Sequence, residues 1–314
     1  MTALTGQRGL GLGIANDASI ATGCAAGAEM AIICLNEKAR RFVGRVAERL
    51  GCAPMLDCDV REAGQLEAVF AALDAQWSGL DFLLHANAFA SRGDLHGRVT
   101  DCSAAGFGMA MDVSVHSFIR CARLAEPLLR RRGGGTLLTV NLHGDERVVE
   151  PYNMMGPMKA ALKSVTRYLA AEMGPSGIRA HAISPGPIAT RAASGIDRFN
   201  EMLERAAGTV PALGLARIED VGAAAAFLVG QGGARLNGLV LPVDGGQHVL
   251  GLRLRPPGGK SPRPCSMPRP CGARAGGFRP RGWSGCHPRP GNRGPAAGCG
   301  EIRGGPGRGR AERR

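Results

Sequence analysis

Gly9-Leu10-Gly11-Leu12-Gly13-Ile14-Ala15-Asn16-Asp17-Ala18-Ser19-Ile20-Ala21 decides the fold of this chain. Residues 9–14 form a short apolar run that passes straight into small residues, as where a first strand meets a first helix. Small side chains there let backbone amides and a helix N-terminus approach a pyrophosphate. The turn departs from the Gly-x-Gly-x-x-Gly spacing, and taken alone it serves helix–strand packing equally well.

Outward from this stretch the alternation repeats. Apolar runs at 30–35, 54–56, 80–85, 136–142, 179–183 and 239–243 read as strands. Helical patterns such as 62–76, 115–130, 158–173 and 218–229 lie between them. Continuous apolar strands alternating with helices predict an α/β fold with a single doubly wound parallel sheet, covered on both faces.

The composition changes near Gly251. Residues 251–314 hold fourteen Arg and Lys260 against only Glu301 and Glu312, which is the whole net charge of +13. Residues 1–250 therefore carry 24 basic and 24 acidic side chains. The sequence predicts a catalytic domain over 1–250 and an Arg/Gly/Pro-rich tail over 251–314, disordered because it has too few aliphatic residues to bury. Read as function, the tail is an RNA- or membrane-binding appendage. The bland reading, a frame-shifted end of a GC-rich gene, is favoured because Leu239-Val240-Leu241-Pro242-Val243-Asp244-Gly245-Gly246 already completes a last strand and turn. Nucleic acid is thus not the expected partner. No apolar run reaches the ~20 residues of a membrane span, and the first residues lack a secretory pattern. The ten cysteines include no Cys-x-x-Cys pair and no zinc spacing, so neither a metal nor a disulfide framework is expected, and the reducing cytoplasm is the expected location.

Several loops gather at the carboxyl edge of such a sheet. Asp59-Val60 ends the third strand, where an Asp can face an adenine. His85-Ala86-Asn87-Ala88 ends the fourth, where small residues let the chain pass under a cofactor. Pro185-Gly186-Pro187-Ile188-Ala189-Thr190 ends the sixth, where a backbone turn can meet a nicotinamide amide. That edge is the dinucleotide site of an open α/β sheet. Cys34-Leu35-Asn36 stands where a ribose carboxylate is usual, so the choice between NADH and NADPH is left open by that rule.

Tyr152 and Lys159 are seven apart, within about 20° of one face of a helix. A nearby ammonium is expected to orient the phenol and lower its pKa.

With the turn, the Tyr-x6-Lys pair, the Pro-Gly-Pro-Ile-Ala-Thr loop and Val243-Asp244-Gly245-Gly246 in order, the chain resembles the short-chain dehydrogenase/reductase superfamily, a Rossmann-type fold. More narrowly it is similar to the bacterial NADH-dependent enoyl-acyl-carrier-protein reductases. Other stretches carry the likeness: Asp94-Leu95-His96-Gly97-Arg98, His116-Ser117-Phe118-Ile119-Arg120 and Thr190-Arg191-Ala192-Ala193-Ser194-Gly195-Ile196. The resemblance covers about residues 6–247 and implies reduction of a trans-2-enoyl thioester on acyl carrier protein, in type II fatty-acid synthesis, by a homotetramer. It implies that Tyr152 donates to the thioester oxygen and that Lys159 holds the nicotinamide ribose. Gly13, Ser19, Ile20, Asp59, Val60, Ala86, Ile188 and Thr190 then fall at NADH positions. Ala88, Leu142, Met155, Ala192, Ile196, Phe199 and Met202 fall on the acyl side.

Two departures stand out. The family carries a second tyrosine ten residues before the first, where this chain has Leu142. Strand alternation is expected to turn Asn141 and His143 to the opposite face from residue 142. The helix after the nucleotide turn is also about five residues shorter than in the family, with only 21–29 between Ile20 and the second strand. Three alternatives follow: a catalytically impaired relative, a short-chain reductase for another carbonyl or enoyl substrate, and a nucleic-acid-binding protein using the tail.

Overall fold

The computed structural model describes residues 4–14, 19, 27–150, 152–190, 193–196, 198–212 and 214–251. The tail and the shortened first helix lie outside the described residues, apart from Gly27–Glu29 and Gly251.

Seven parallel strands form one sheet: β1 (Arg8–Leu12), β2 (Glu29–Cys34), β3 (Met55–Asp57), β4 (Phe82–His85), β5 (Gly135–Val140), β6 (Ile178–Pro185) and β7 (Val240–Val243). Their order is β3-β2-β1-β4-β5-β6-β7. The winding direction reverses between β1 and β4, where Leu12 pairs with His85. All seven expected strands are present. β3 ends at Asp57, two residues before Asp59, and β5 ends at Val140, two before Leu142.

Helices α1 (Glu37–Leu50) and α8 (Ile218–Val229) cover one face; α2 (Gln65–Trp77), α5 (Ser117–Arg131) and α6 (Met155–Met173) cover the other. Short α3 (Arg92–Leu95), α4 (Ala104–Met111) and α7 (Phe199–Ala207) complete the described helices. Each large helix packs an apolar stripe on the sheet. Val43, Val46 and Ala47 of α1 join Ile32 and Leu84 in one core layer. Phe118, Leu129 and Leu162 join Leu83 and Leu137 in the other. Burial of such side chains contributes about 1.5–3 kcal/mol each.

Local chemistry sets the ends. Asn36 caps α1 by accepting from the Ala39 amide at 3.0 Å, and Gly51 closes it in a left-handed conformation at φ 64°. Between α4 and α5 the chain loosens into one π turn, Asp112–His116. Such turns often sit at functional sites. Here the π turn faces the carboxyl end of β4: Ser114 accepts from the Phe89 amide at 3.0 Å and donates to its carbonyl at 3.3 Å.

Candidate active site

One cavity of about 520 Å3 opens over the carboxyl ends of β1, β4, β5 and β6. Small residues make it possible. Gly13 takes φ +87°, and a Cβ there would lie 2.5 Å from the backbone of Ala86. A side chain at 13 would therefore collide with the neighbouring strand exit and fill the cradle a dinucleotide needs.

Tyr152 stands just before α6 and is 8% exposed. Its ring packs on Gly144, where a Cβ would come within 2.7 Å of the ring. Burial, and then the Asp145 carboxylate, push the phenol well above its ordinary range. This corrects the expectation of a lowered pKa: Tyr152 is a neutral hydrogen-bond donor, held protonated. Among the described residues its hydroxyl has no hydrogen-bond partner.

Lys159 lies in the second turn of α6 and is also buried, whereas Tyr152 precedes the helix, which corrects the expectation of one shared helix face. Its Nζ donates to the Val140 carbonyl at 2.6 Å. Burial lowers its pKa to about 8. Beneath it lies His85, fully buried, whose pKa falls to about 3 through burial and then the Lys159 charge. Its Nε2 lies 2.7 Å from Ser117 Oγ and its Nδ1 3.3 Å from Thr139 Oγ1, so two neutral hydroxyls flank a neutral imidazole.

A second polar group fixes the strap after β5. Asn141 Nδ2 donates to Asp145 at 2.8 Å. Lys163 of α6 pairs with the same carboxylate at 3.1 Å and also contacts Glu146. Asn141 and Leu142 are both among the residues lining the cavity. Asn141 is nonetheless not a substitute donor, since its amide hydrogens face Asp145 and its Oδ1 is buried without a partner.

Of the residues singled out in the sequence, Gly13, Ser19, Ala86, Ala88, Leu142, Tyr152, Met155, Lys159, Ile188, Thr190, Ile196 and Phe199 line this one cavity. So does Met202. Asp59 and Val60 do not. The Asp59 carboxylate accepts from the Arg61 amide at 3.0 Å and pairs with its guanidinium, which holds its pKa below the usual carboxylate range. Val60 is buried, with its carbonyl bound by Arg120 at 2.7 Å. Ile20 and Ala192 lie outside the described residues.

The sequence reading gave no role to His85, Val140 or Arg92. His85 was findable as a titratable residue at the last position of a strand. The role of Val140 rests on its backbone carbonyl, which no side-chain pattern reveals. Among the described residues no helix is long and apolar enough to cross a membrane, and no group of three or more His, Cys, Asp or Glu could hold a metal.

The comparisons agree with this geometry. A family model described as enoyl-(acyl carrier protein) reductase matches residues 13–248. Enoyl-acyl-carrier-protein reductase (NADH) 1 of Rhizobium meliloti is 39% identical over 255 residues, covering 80% of this chain and 93% of its own. An enoyl-acyl-carrier-protein reductase (NADH) of Escherichia coli is 40% identical over 255 residues, covering 79% and 97%. A solved enoyl-acyl-carrier-protein reductase from Anaplasma phagocytophilum, in complex with NAD, matches with a TM-score of 0.76 at 38% identity, over 80% of this chain and 97% of that one. With one cavity joining the Tyr-x6-Lys pair to the dinucleotide cradle, and a match across nearly the whole described domain, the chain belongs to the enoyl-(acyl carrier protein) reductase family.

Proposed function

We propose that this protein reduces trans-2-enoyl thioesters on acyl carrier protein with NADH, in type II fatty-acid synthesis. The observation that carries this is the single cavity in which a buried, neutral Tyr152, the buried Lys159 and the glycine-lined edge of the sheet meet an apolar chamber. When bound, NADH supplies the hydride for C3 of the enoyl group. Tyr152 donates to the thioester oxygen as negative charge develops there, the kind of preorganised donation that usually dominates such catalysis. A phenol raised in pKa by burial and by Asp145 stays protonated and acts as donor across the neutral range. Lys159 holds the nicotinamide ribose hydroxyls and keeps the field positive.

The other roles follow the same reading. Gly13, Ser19, Ile20, Ala86, Ile188 and Thr190 hold the dinucleotide, and Asp59 and Val60 belong to its adenine end. Ala88, Leu142, Met155, Ala192, Ile196 and Phe199 enclose the acyl chain. The catalytic domain is 1–250 and 251–314 an appendage; the working form is a cytoplasmic homotetramer.

NADH oxidation with crotonyl-CoA tests the activity. A protein that binds NADH but leaves it unoxidised would favour the second reading, a catalytically impaired relative. Leu142 supports that reading, because neither it nor Asn141 offers a second donor to the cavity.

A further inference from the structure

Among the described residues, Arg92 is the one exposed charge on the cavity wall. Among the described residues lining the cavity there is no carboxylate, and the only cations are Lys159 and Arg92. Lys159 is deep and bound to Val140. Arg92 lines the same cavity, exposed, at the start of α3.

Its charged neighbours are all engaged. Asp94 accepts from the Ser103 amide at 2.8 Å and from the Ser91 hydroxyl. His96 Nε2 meets the Gly195 carbonyl at 2.9 Å, joining the two walls of the cavity. Arg98 pairs with Asp101 at 3.9 Å. The Arg92 guanidinium alone has no partner among the described residues. A guanidinium with no described partner, beside a cavity whose described lining holds no carboxylate, suits an anion. Its planar fork suits a phosphate, to which it donates two parallel hydrogen bonds.

We propose that Arg92 binds the phosphate of the pantetheine arm that carries the acyl thioester. The proposal rests on the enoyl-thioester reading above and adds the residue that recognises the carrier arm. Pantetheine is the arm shared by acyl carriers and coenzyme A. Its thioester end enters toward Tyr152 and its phosphate end remains at the rim. Arg92 then acts on substrate binding and not on the chemical step.

The test compares crotonyl-4′-phosphopantetheine with crotonyl-pantetheine, identical but for the phosphate, in the full chain. The wild type should prefer the phosphorylated thioester. In Arg92→Ala the ratio of the two kcat/KM values should fall about tenfold, through KM, with Arg92→Lys recovering part of it because a charge remains. An equal loss on both thioesters, or an unchanged ratio, would overturn the proposal. A loss seen only when the acyl group is carried on the whole carrier protein would also overturn it, and would place Arg92 against acidic side chains of the carrier. Calorimetric titration with 4′-phosphopantetheine itself is independent of turnover. Weaker binding by Arg92→Ala supports the proposal, and equal binding refutes it. If the wild type oxidises NADH with neither thioester, the reductase reading fails, while the titration still decides the fate of Arg92.

Discussion

Lys159 Nζ donates to the carbonyl oxygen of Val140 at 2.6 Å, tying the second turn of α6 to the last residue of β5. It is the only hydrogen bond of that ammonium among the described residues. An ammonium has three donors; with one satisfied and the group buried, the charged form is disfavoured, which is why the pKa falls to about 8. The Val140 carbonyl aims Nζ along the carboxyl edge of the sheet. The remaining donors are free for the ribose hydroxyls proposed above, and a ligand that engages them relieves the desolvation.

Lys159 therefore gives a pH signature. NADH affinity should weaken as pH rises above about 8, the pKa of Lys159, because the neutral amine loses its charge on the ribose. Lys159→Ala should weaken NADH by an order of magnitude or more and flatten that dependence, measured by fluorescence titration. Stability should move the opposite way. Between about 8 and the ordinary lysine value of 10.5, the unfolded chain keeps a proton that the folded chain has lost, so this group makes stability rise with pH. An NADH affinity indifferent to both pH and substitution would remove Lys159 from the cofactor site.

Tyr152→Phe deletes one donor and keeps the ring on Gly144. One donor aimed at a developing oxyanion is worth about 10²–10³-fold in turnover. Turnover should fall by that much while NADH affinity stays near wild type. A variant as fast as the wild type would exclude Tyr152 from catalysis.

His181 on β6 is fully buried, and neither ring nitrogen makes a hydrogen bond of ordinary geometry, the Leu236 backbone offering only a weak contact. Burial, reinforced by Arg179, lowers its pKa to about 4. As pH falls from 6.5 to about 4, the unfolded chain takes up a proton that the folded chain resists, so stability is lost over that window. His181→Leu removes two unsatisfied polar atoms from the apolar layer of Leu138 and Leu228. It should raise stability by about 1–3 kcal/mol at neutral pH and flatten the acid limb of the melting curve. A lower melting temperature at both pH 7 and pH 5 would mean that the imidazole is partnered in solution.

Stopping the chain after Leu250 keeps the last carbonyls held by Arg147, those of His248 at 3.1 Å and of Leu250. Residues 251–314 bring few large apolar side chains, scattered among Gly, Pro and Arg, to a core. The truncated protein should match the full chain in melting temperature and reductase rate. A fall of several degrees would show that the tail packs on the domain.

Periodicity was enough to read the sheet, because a strand buried on both faces is largely apolar, as Phe82–His85 is up to His85 and Gly135–Val140 is apart from Thr136 and Thr139. α1 was harder to single out: its charges, from Glu37 to Arg49, mask the narrow stripe of Val43, Val46 and Ala47. The Tyr152–Lys159 pair was legible by its spacing, but the helical reading of it is corrected: Tyr152 stands ahead of α6, with Asn153 at φ 38° between, so the turn before the helix brings the two together. The sense of the Tyr152 pKa shift was not, because it depends on burial and on Asp145, a residue seven positions away across a loop. That Asn141 commits its amide to Asp145 was not legible either, because the partner lies four residues on, past the end of β5.

Leu142→Tyr tests how far the site departs from the family. Leu142 lines the same cavity as Tyr152, at the position where the resemblance places a second phenol. Leucine packs there but donates nothing, and the nearby Asn141 amide is committed to Asp145 at 2.8 Å. A tyrosine at 142 would add a donor without disturbing the Asp145–Lys163 pair, which anchors the strap from the far side. One regained hydrogen bond is worth about 0.5–1.5 kcal/mol, and about 1.4 kcal/mol is tenfold in rate. The kcat/KM for crotonyl-CoA should therefore rise several-fold. If a folded, NADH-binding Leu142→Tyr variant is no faster than its parent, residue 142 packs the acyl chain and takes no part in polarising the thioester. If neither protein binds NADH, the defect lies in the shortened segment after Ile20, and the impaired-relative reading replaces the active one.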